Sequence, residues 1–315
     1  LYEKIFVNNQ YIIMTMETIR NFEELIDHLR LRGDRKRVAV VWAADSQTQM
    51  SVSQGLEVGF IEAVFVACRE QVEANAVLMR HREHIFFEEA ADCDDAARKA
   101  VALVRDGKAD ILMKGMLNTD NLLRAVLNKE TGILPHGRVL THITAAEIPA
   151  YKKLLFFTDS AVIPYPTQQQ RIEQVKYIAY VARAFGIEKP KIALVHCSEK
   201  VGEKHFPFTV GYKEIIDKAA AGELGACVVD GPMDVKTACS TENMRKKGLT
   251  SAINGEADGL VFPDIEAGNM FYKTVTLFCY ANTAAVLQGT LAPVVLPSRS
   301  DSKMSKFYSL ALAAL

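Results

Sequence analysis

The sequence predicts an α/β fold, with parallel sheets covered by helices on both faces and the chain divided into two domains. Two observations carry this expectation. Short β-rich runs recur at residues 37–42, 61–66, 111–113, 154–157, 192–195, 226–229, 259–262 and 294–296, and longer stretches of helical character separate them. The length of 315 residues also exceeds what one hydrophobic core usually serves. In open sheets of this kind ligands sit beyond the carboxyl ends of the strands, so function is sought in the loops that follow each run.

Composition narrows the class. A formal net charge of −1 and the lack of a basic run argue against a nucleic-acid groove or an electrostatic membrane anchor. No apolar stretch approaches the length of a membrane span, and no signal peptide with a cleavage site is evident. The six cysteines are scattered, with no CxxC pair and no histidine at metal-ligand spacing, so they read as thiols of a reducing cytoplasm and no metal site is expected. GxGxxG and GxxxxGK[ST] loops are absent, which argues against the usual dinucleotide and P-loop sites. Residues 1–13 carry no periodic pattern and no initiator Met, and are read as a leader or remnant outside the fold.

Three loops carry the chemistry. After the run at 111–113 comes KGMLNTDNLLRAVLNKETG, where Leu122, Leu123, Val126 and Leu127 form an apolar stripe and Asn118 or Thr119 can cap the helix. Lys114 falls in the loop, and Asp120, Arg124 and Asn128 share the polar face. On spacing alone Arg124 is an i,i+4 partner of Asp120. The second loop, PDIEAGNMFYK, sets Asp264, Glu266 and Asn269 near a helix start. First-turn carboxylates complement the dipole, and two side by side could equally serve as metal ligands or an acid/base pair.

The third loop, SRSDS at 298–302, lies between an apolar strand and a helix that places Met304, Phe307, Tyr308 and Ala311 at helical spacing. Asp301 or Ser302 can cap that helix. Its free N–H groups and the Arg299 fork suit a phosphate, while the plainer reading is an ordinary cap with one exposed arginine.

The runs ADILMKGMLNTDNLLRAVLNKETG, GEADGLVFPDIEAGNMFYK and LPSRSDSKMSKFYSLALA, together with FGIEKPKIALVHCSEKV and GACVVDGPMDV, resemble the phosphate acetyl/butyryltransferase family, most closely its butyryltransferase branch. The resemblance extends in order from Arg37 to the C-terminus. It implies two α/β/α domains with a cleft between them, similar to the isocitrate and isopropylmalate dehydrogenases. The first domain would comprise 14–140 plus 288–315 and the second 141–287. A homodimer or higher homo-oligomer is likewise implied.

The activity implied is reversible transfer of a butyryl or acetyl group between coenzyme A and inorganic phosphate, with CoA as substrate and no tightly bound cofactor. The family's serine, arginine and aspartate match Ser298, Arg299 and Asp301. Asp301 would take the thiol proton, Ser298 would bond the developing oxyanion, and Arg299 with Arg124 would hold phosphate. Lys114, Thr119, Glu266, Asn269 and Ser302 complete the implied substrate-binding set, although the Lys114 stem could instead simply cover the sheet edge. Asp301 is also a candidate cap, which would make it a poorer base.

FFTDSAVIPYPTQQQ and HFPFTVGYKEI depart from the family pattern and are placed as candidate walls of the acyl pocket. Two other classes stay open on the residues: a non-catalytic CoA-binding protein, and a metal- and NAD(P)-dependent β-decarboxylating dehydrogenase using Asp264 and Glu266.

Overall fold

The computed structural model describes residues 2–7, 10–15, 18–298 and 301–315. Tyr2–Val7 (β1) and Gln10–Thr15 (β2) pair antiparallel as a separate hairpin, a regularity that the unpatterned sequence of this segment did not suggest. The remaining strands are β3 Lys36–Val41, β4 Ile61–Val66, β5 Ile85–Glu88, β6 Ile111–Lys114, β7 Thr141–Glu147, β8 Leu155–Thr158, β9 Lys191–Val195, β10 Val228–Met233, β11 Gly259–Val261, β12 Asn282–Gln288 and β13 Val294–Val295. They form one 11-stranded sheet in the order β10-β9-β11-β8-β7-β12-β13-β6-β3-β4-β5.

The sheet has two parallel arms. One is β10-β9-β11-β8 and the other is β13-β6-β3-β4-β5. Between them β7 and β12 pair antiparallel with each other, β7 antiparallel with β8, and β12 antiparallel with β13. The all-parallel expectation therefore fails at this seam. THITAAE and NTAAVLQ are rich in Thr and Ala, and lack the bulky β-branched density by which the other strands were recognised.

Helices cover both faces: α1 Phe22–Arg32, α2 Ser46–Val58, α3 Arg69–Glu73, α4 Cys93–Arg105, α5 Thr119–Val126, α6 Gln168–Ala184, α7 Tyr212–Ala220, α8 Val235–Ala238, α9 Thr241–Lys246, α10 Ile265–Leu277 and α11 Lys303–Ala314. Successive strand residues face opposite sides, and the core follows that alternation. Val38, Val40, Ile143, Ala145, Phe156, Ile192 and Leu194 join one continuous apolar layer with residues of α1, α2, α6 and α11. On the other face the layer is split. Ala39, Val41 and Leu112 pack with α4 and α5, whereas Phe157, Ala193 and Val195 pack with residues of α8, α9 and α10. The split falls over β7.

α11 fastens the seam to the first arm. It packs between α2 and β12, where the Ser309 hydroxyl accepts from Ala285 N at 2.9 Å and the Ser305 hydroxyl donates to Thr283 O at 2.7 Å. Ser51 Oγ on α2 donates to Lys303 O at 3.0 Å. The chain's last strand and helix thus complete the architecture begun by its first strands.

Candidate active site

Over β7, where the helical layer parts, lies a cavity of about 790 Å³. Its walls bring together three loops that are far apart in sequence: Thr119 at the start of α5, Glu266 and Asn269 on the first turns of α10, and Ser298 with Asp301 ahead of α11. A smaller cavity of about 610 Å³ adjoins it, lined by Asp45, Cys93, Lys114, Asn121 and Lys306, and Pro297 and Ser298 form a wall common to both.

The loop before α11 is held from two sides. Asp301 accepts from Ser298 N at 2.7 Å and from the Tyr272 hydroxyl at 3.0 Å. Burial, and then the Asp301 charge, raise the Tyr272 pKa well above the usual tyrosine value, so Tyr272 remains an O–H donor. Ser302, not Asp301, caps α11, accepting from Ser305 N at 3.0 Å. Ser302 lines neither cavity, so its hydroxyl acts in the helix start. Arg299 lies outside the described residues.

α10 begins with Asp264 as its cap, accepting from Ala267 N at 2.8 Å. Asp264 is engaged in the helix start, and Glu266 stands exposed at the cavity mouth with the Tyr165 hydroxyl 3.4 Å away. Among the described residues no group of three or more His, Cys, Asp or Glu is arranged to hold a metal ion. Asn269 Nδ2 donates to Ser160 O at 2.8 Å, which ties α10 to the loop after β8. Gly268 is needed there, because a Cβ at this position would collide with the Asp159 carbonyl.

Asp159 organises that loop. Buried at 2% exposure, its carboxylate accepts from Ala161 N at 2.8 Å, Val162 N at 2.9 Å and the Thr141 hydroxyl at 2.7 Å, and more loosely from His142 N and Ile163 N. Ser160 and Ala161 then line the cavity, in keeping with the expectation that the FFTDSAVIPYPTQQQ segment contributes a wall. The HFPFTVGYKEI segment instead packs in the second arm, where Phe206 and Phe208 surround His196.

On the other side, β6 ends at Lys114, which closes the strand where the sequence suggested a loop position. Its ammonium is buried, donating to Gly115 O at 3.2 Å and Leu117 O at 3.1 Å. Gly115 admits the close approach of the neighbouring strand end, since a Cβ would lie 2.5 Å from Val41 O. Lys306 from α11 is also buried and sits 3.5 Å from Asp45, the cap of α2. Burial, followed by the charges of Asp92 and Asp94, raises the Cys93 pKa, so this cavity holds a thiol and not a ready nucleophile.

Arg124 lines neither cavity; it is exposed on α5, and no ion pair joins it to Asp120 among the described residues. The i,i+4 link expected from spacing is therefore not formed, consistent with the small net gain of such pairs in water. Sequence reasoning missed His142, Ser160 and Tyr272, all of which line the larger cavity. Tyr272 lay inside a recognised motif, and Ser160 inside the segment placed as a candidate wall.

The chain is similar to known proteins along most of its length. Residues 37–314 match the family model described as "Phosphate acetyl/butaryl transferase". The chain is 37% identical over 298 residues to a phosphate butyryltransferase of Clostridium acetobutylicum, covering 94% of this chain and 98% of that one. It is 34% identical over 306 residues to a phosphate acetyltransferase of Thermotoga maritima, covering 93% and 98%. The crystal structure of a branched-chain phosphotransacylase from Enterococcus faecalis V583 superposes with a TM-score of 0.77 at 32% identity, over 88% of this chain and 97% of that one. The family match spans both arms of the sheet and all three cavity loops, and the chain belongs to the phosphate acetyl/butyryl transferase family.

Proposed function

We propose that the cavity over β7 is the site of reversible acyl transfer between coenzyme A and inorganic phosphate, which makes the protein a phosphate acyltransferase. The observation that carries the reading is the meeting of KGMLNT, PDIEAGN and SRSDS at one cavity, although some 180 residues separate the first from the last. Ser298 stands on the shared wall, where its hydroxyl can bond the carbonyl oxygen as charge builds on it. Phosphate belongs to the adjoining cavity, with Lys114 and Lys306 as its cations; Arg299, outside the described residues, keeps the phosphate-holding role that the family resemblance implies. Two groups facing the larger cavity have the chemistry to take the thiol proton: Asp301, the candidate from sequence, and His142.

Ala161, Ile265, Met270 and Leu296 offer an apolar surface for a short acyl chain. Butyryl and acetyl groups differ by only two methylenes, each worth about 0.8 kcal/mol of burial, so the reading is of a short-chain enzyme. No helix among the described residues is long and apolar enough to cross a membrane, and the six cysteines are all free, which supports a reducing cytoplasm as the setting. Exposed Met270, Leu277, Phe278 and Tyr280, on α10 and just after it, support self-association as a homodimer.

The test is phosphate-dependent release of free thiol from butyryl-CoA, with acetyl-CoA in parallel, phosphate-free controls and Arg299→Ala. Release that requires phosphate and collapses in the variant is expected. A folded protein that releases thiol from neither substrate would remove the acyltransferase reading.

A further inference from the structure

We infer that His142 is the general base for the coenzyme A thiol, with Ser160 positioning its ring and Asp301 shaping the loop rather than carrying the proton. The inference rests on the acyl-transfer reading of this cavity and assigns the proton within it. His142 is the second residue of β7, on the opposite side of the strand from Ile143, which is buried in the continuous apolar layer. The side chain therefore points into the gap where the other layer parts, and it lines the cavity.

The ring is held by one nitrogen. Nδ1 lies 3.0 Å from Ser160 Oγ and 3.4 Å from Thr144 Oγ1. Both hydroxyl oxygens can accept, and in the tautomer that the inference assigns, Nδ1–H donates to Ser160 and the Nε2 lone pair is left for the cavity, where it has no hydrogen-bond partner among the described residues. The other acceptors facing this space already take hydrogen bonds or stand at its edge. Asp301 has one oxygen on Ser298 N and the other on the Tyr272 hydroxyl, and Asp159 is saturated by backbone and hydroxyl donors. Glu266 sits exposed at the mouth.

The charged groups around the ring come from three elements. Asp159 follows β8, Asp301 precedes α11, and Lys273 is on α10. Burial lowers the imidazole pKa, and the two carboxylates oppose this more than Lys273 adds to it, so the net shift is downward from 6.5. The ring is then neutral and able to accept at neutral pH. Once it has accepted, Asp159 and Asp301 favour the imidazolium.

In the direction of thioester formation, the S–H bond of CoA breaks and its proton passes to Nε2 as sulfur attacks the carbonyl carbon of the acyl phosphate. The C–S bond forms, the carbonyl C–O bond to phosphorus breaks, and phosphate leaves with the electron pair. In the reverse direction phosphate attacks the thioester, and the imidazolium returns its proton to the departing thiolate. No external oxidant or reductant is needed.

The experiment follows thioester formation from butyryl phosphate and CoA by the purified chain across pH 5–9, in wild type, His142→Gln, Asp301→Asn and Ser160→Ala, with CoA binding measured by calorimetry. His142→Gln should lower kcat by about 10²–10⁴-fold, leave CoA affinity within about threefold, and replace the acidic limb by a rise that follows the thiol's own ionisation near pH 8.5. Imidazole added to His142→Ala should restore part of the rate. Asp301→Asn should keep the limb. Ser160→Ala should move the limb to lower pH and reduce kcat, because the imidazolium loses an acceptor.

A His142→Gln protein within threefold of wild type, with its acidic limb intact, overturns the inference while leaving the acyl-transfer reading standing. If His142→Gln does not fold, an unchanged limb in Ser160→Ala overturns the inference by itself. A folded wild-type protein that exchanges no acyl group would overturn both readings together.

Discussion

The two adjoining cavities share Pro297 and Ser298, yet they are chemically unlike. The one over β7 is walled by hydroxyls, a neutral imidazole and a carboxylate whose bonds are already made. The one beside β6 holds two buried ammonium groups and is edged by the starts of α2, α4 and α5. The difference teaches how a single fold can separate two tasks of acyl transfer. Proton transfer benefits from a base kept uncharged by burial, whereas an incoming phosphate is best met by charges already fixed in place. Ser298 stands where the two environments meet, which is where the carbonyl must lie if it is to exchange sulfur for oxygen.

This division can be broken experimentally. The largest effect on phosphate binding is expected from Lys114→Met, which removes a buried charge from the β6 cavity. Charged hydrogen bonds contribute about 1.5–3 kcal/mol, so KM for phosphate should rise about 10- to 100-fold while the acidic limb of the pH profile stays in place. Steady-state kinetics at varied phosphate checks this, and an unchanged phosphate KM would dissolve the proposed separation.

Asp301→Asn probes the shared wall. Asn can keep one acceptor oxygen for Ser298 N or Tyr272, so kcat should fall only about tenfold. A loss of the order seen for a missing base would return the proton to Asp301. The smallest effect belongs to Arg124→Ala, expected within about threefold of wild type in both substrate KM values, since an exposed arginine outside both walls gains little from its charge. A phosphate KM raised tenfold or more would bring Arg124 into the site.

The same contrast explains what the sequence revealed. Strands such as β3, β4 and β9 stand out because they are dense in Val, Ile and other apolar residues, as burial in a parallel arm selects. β7 and β12 do not, because the seam is built from Thr and Ala. Of the site, Thr119, Glu266, Asn269, Ser298 and Asp301 were legible through motifs recognisable in order. Lys114 was recognised too, although its burial was not. His142 was invisible: a single histidine in a weakly patterned strand acquires meaning only when Ser160, eighteen positions later, folds back to within 3.0 Å of it.

The position of β13 and α11 has a consequence for the order of assembly. β13 is the strand that joins β12 to β6, and α11 packs against α2, an element made some 250 residues earlier. Until residues 282–314 have been synthesised, β6 has a bare edge and the Leu310 site beside Gly55 of α2 is unfilled. Such exposed edges and apolar faces are what chaperones recognise, and pairings between elements so distant along a chain form slowly. The first arm of this enzyme, although translated first, is the part that must wait longest to be finished.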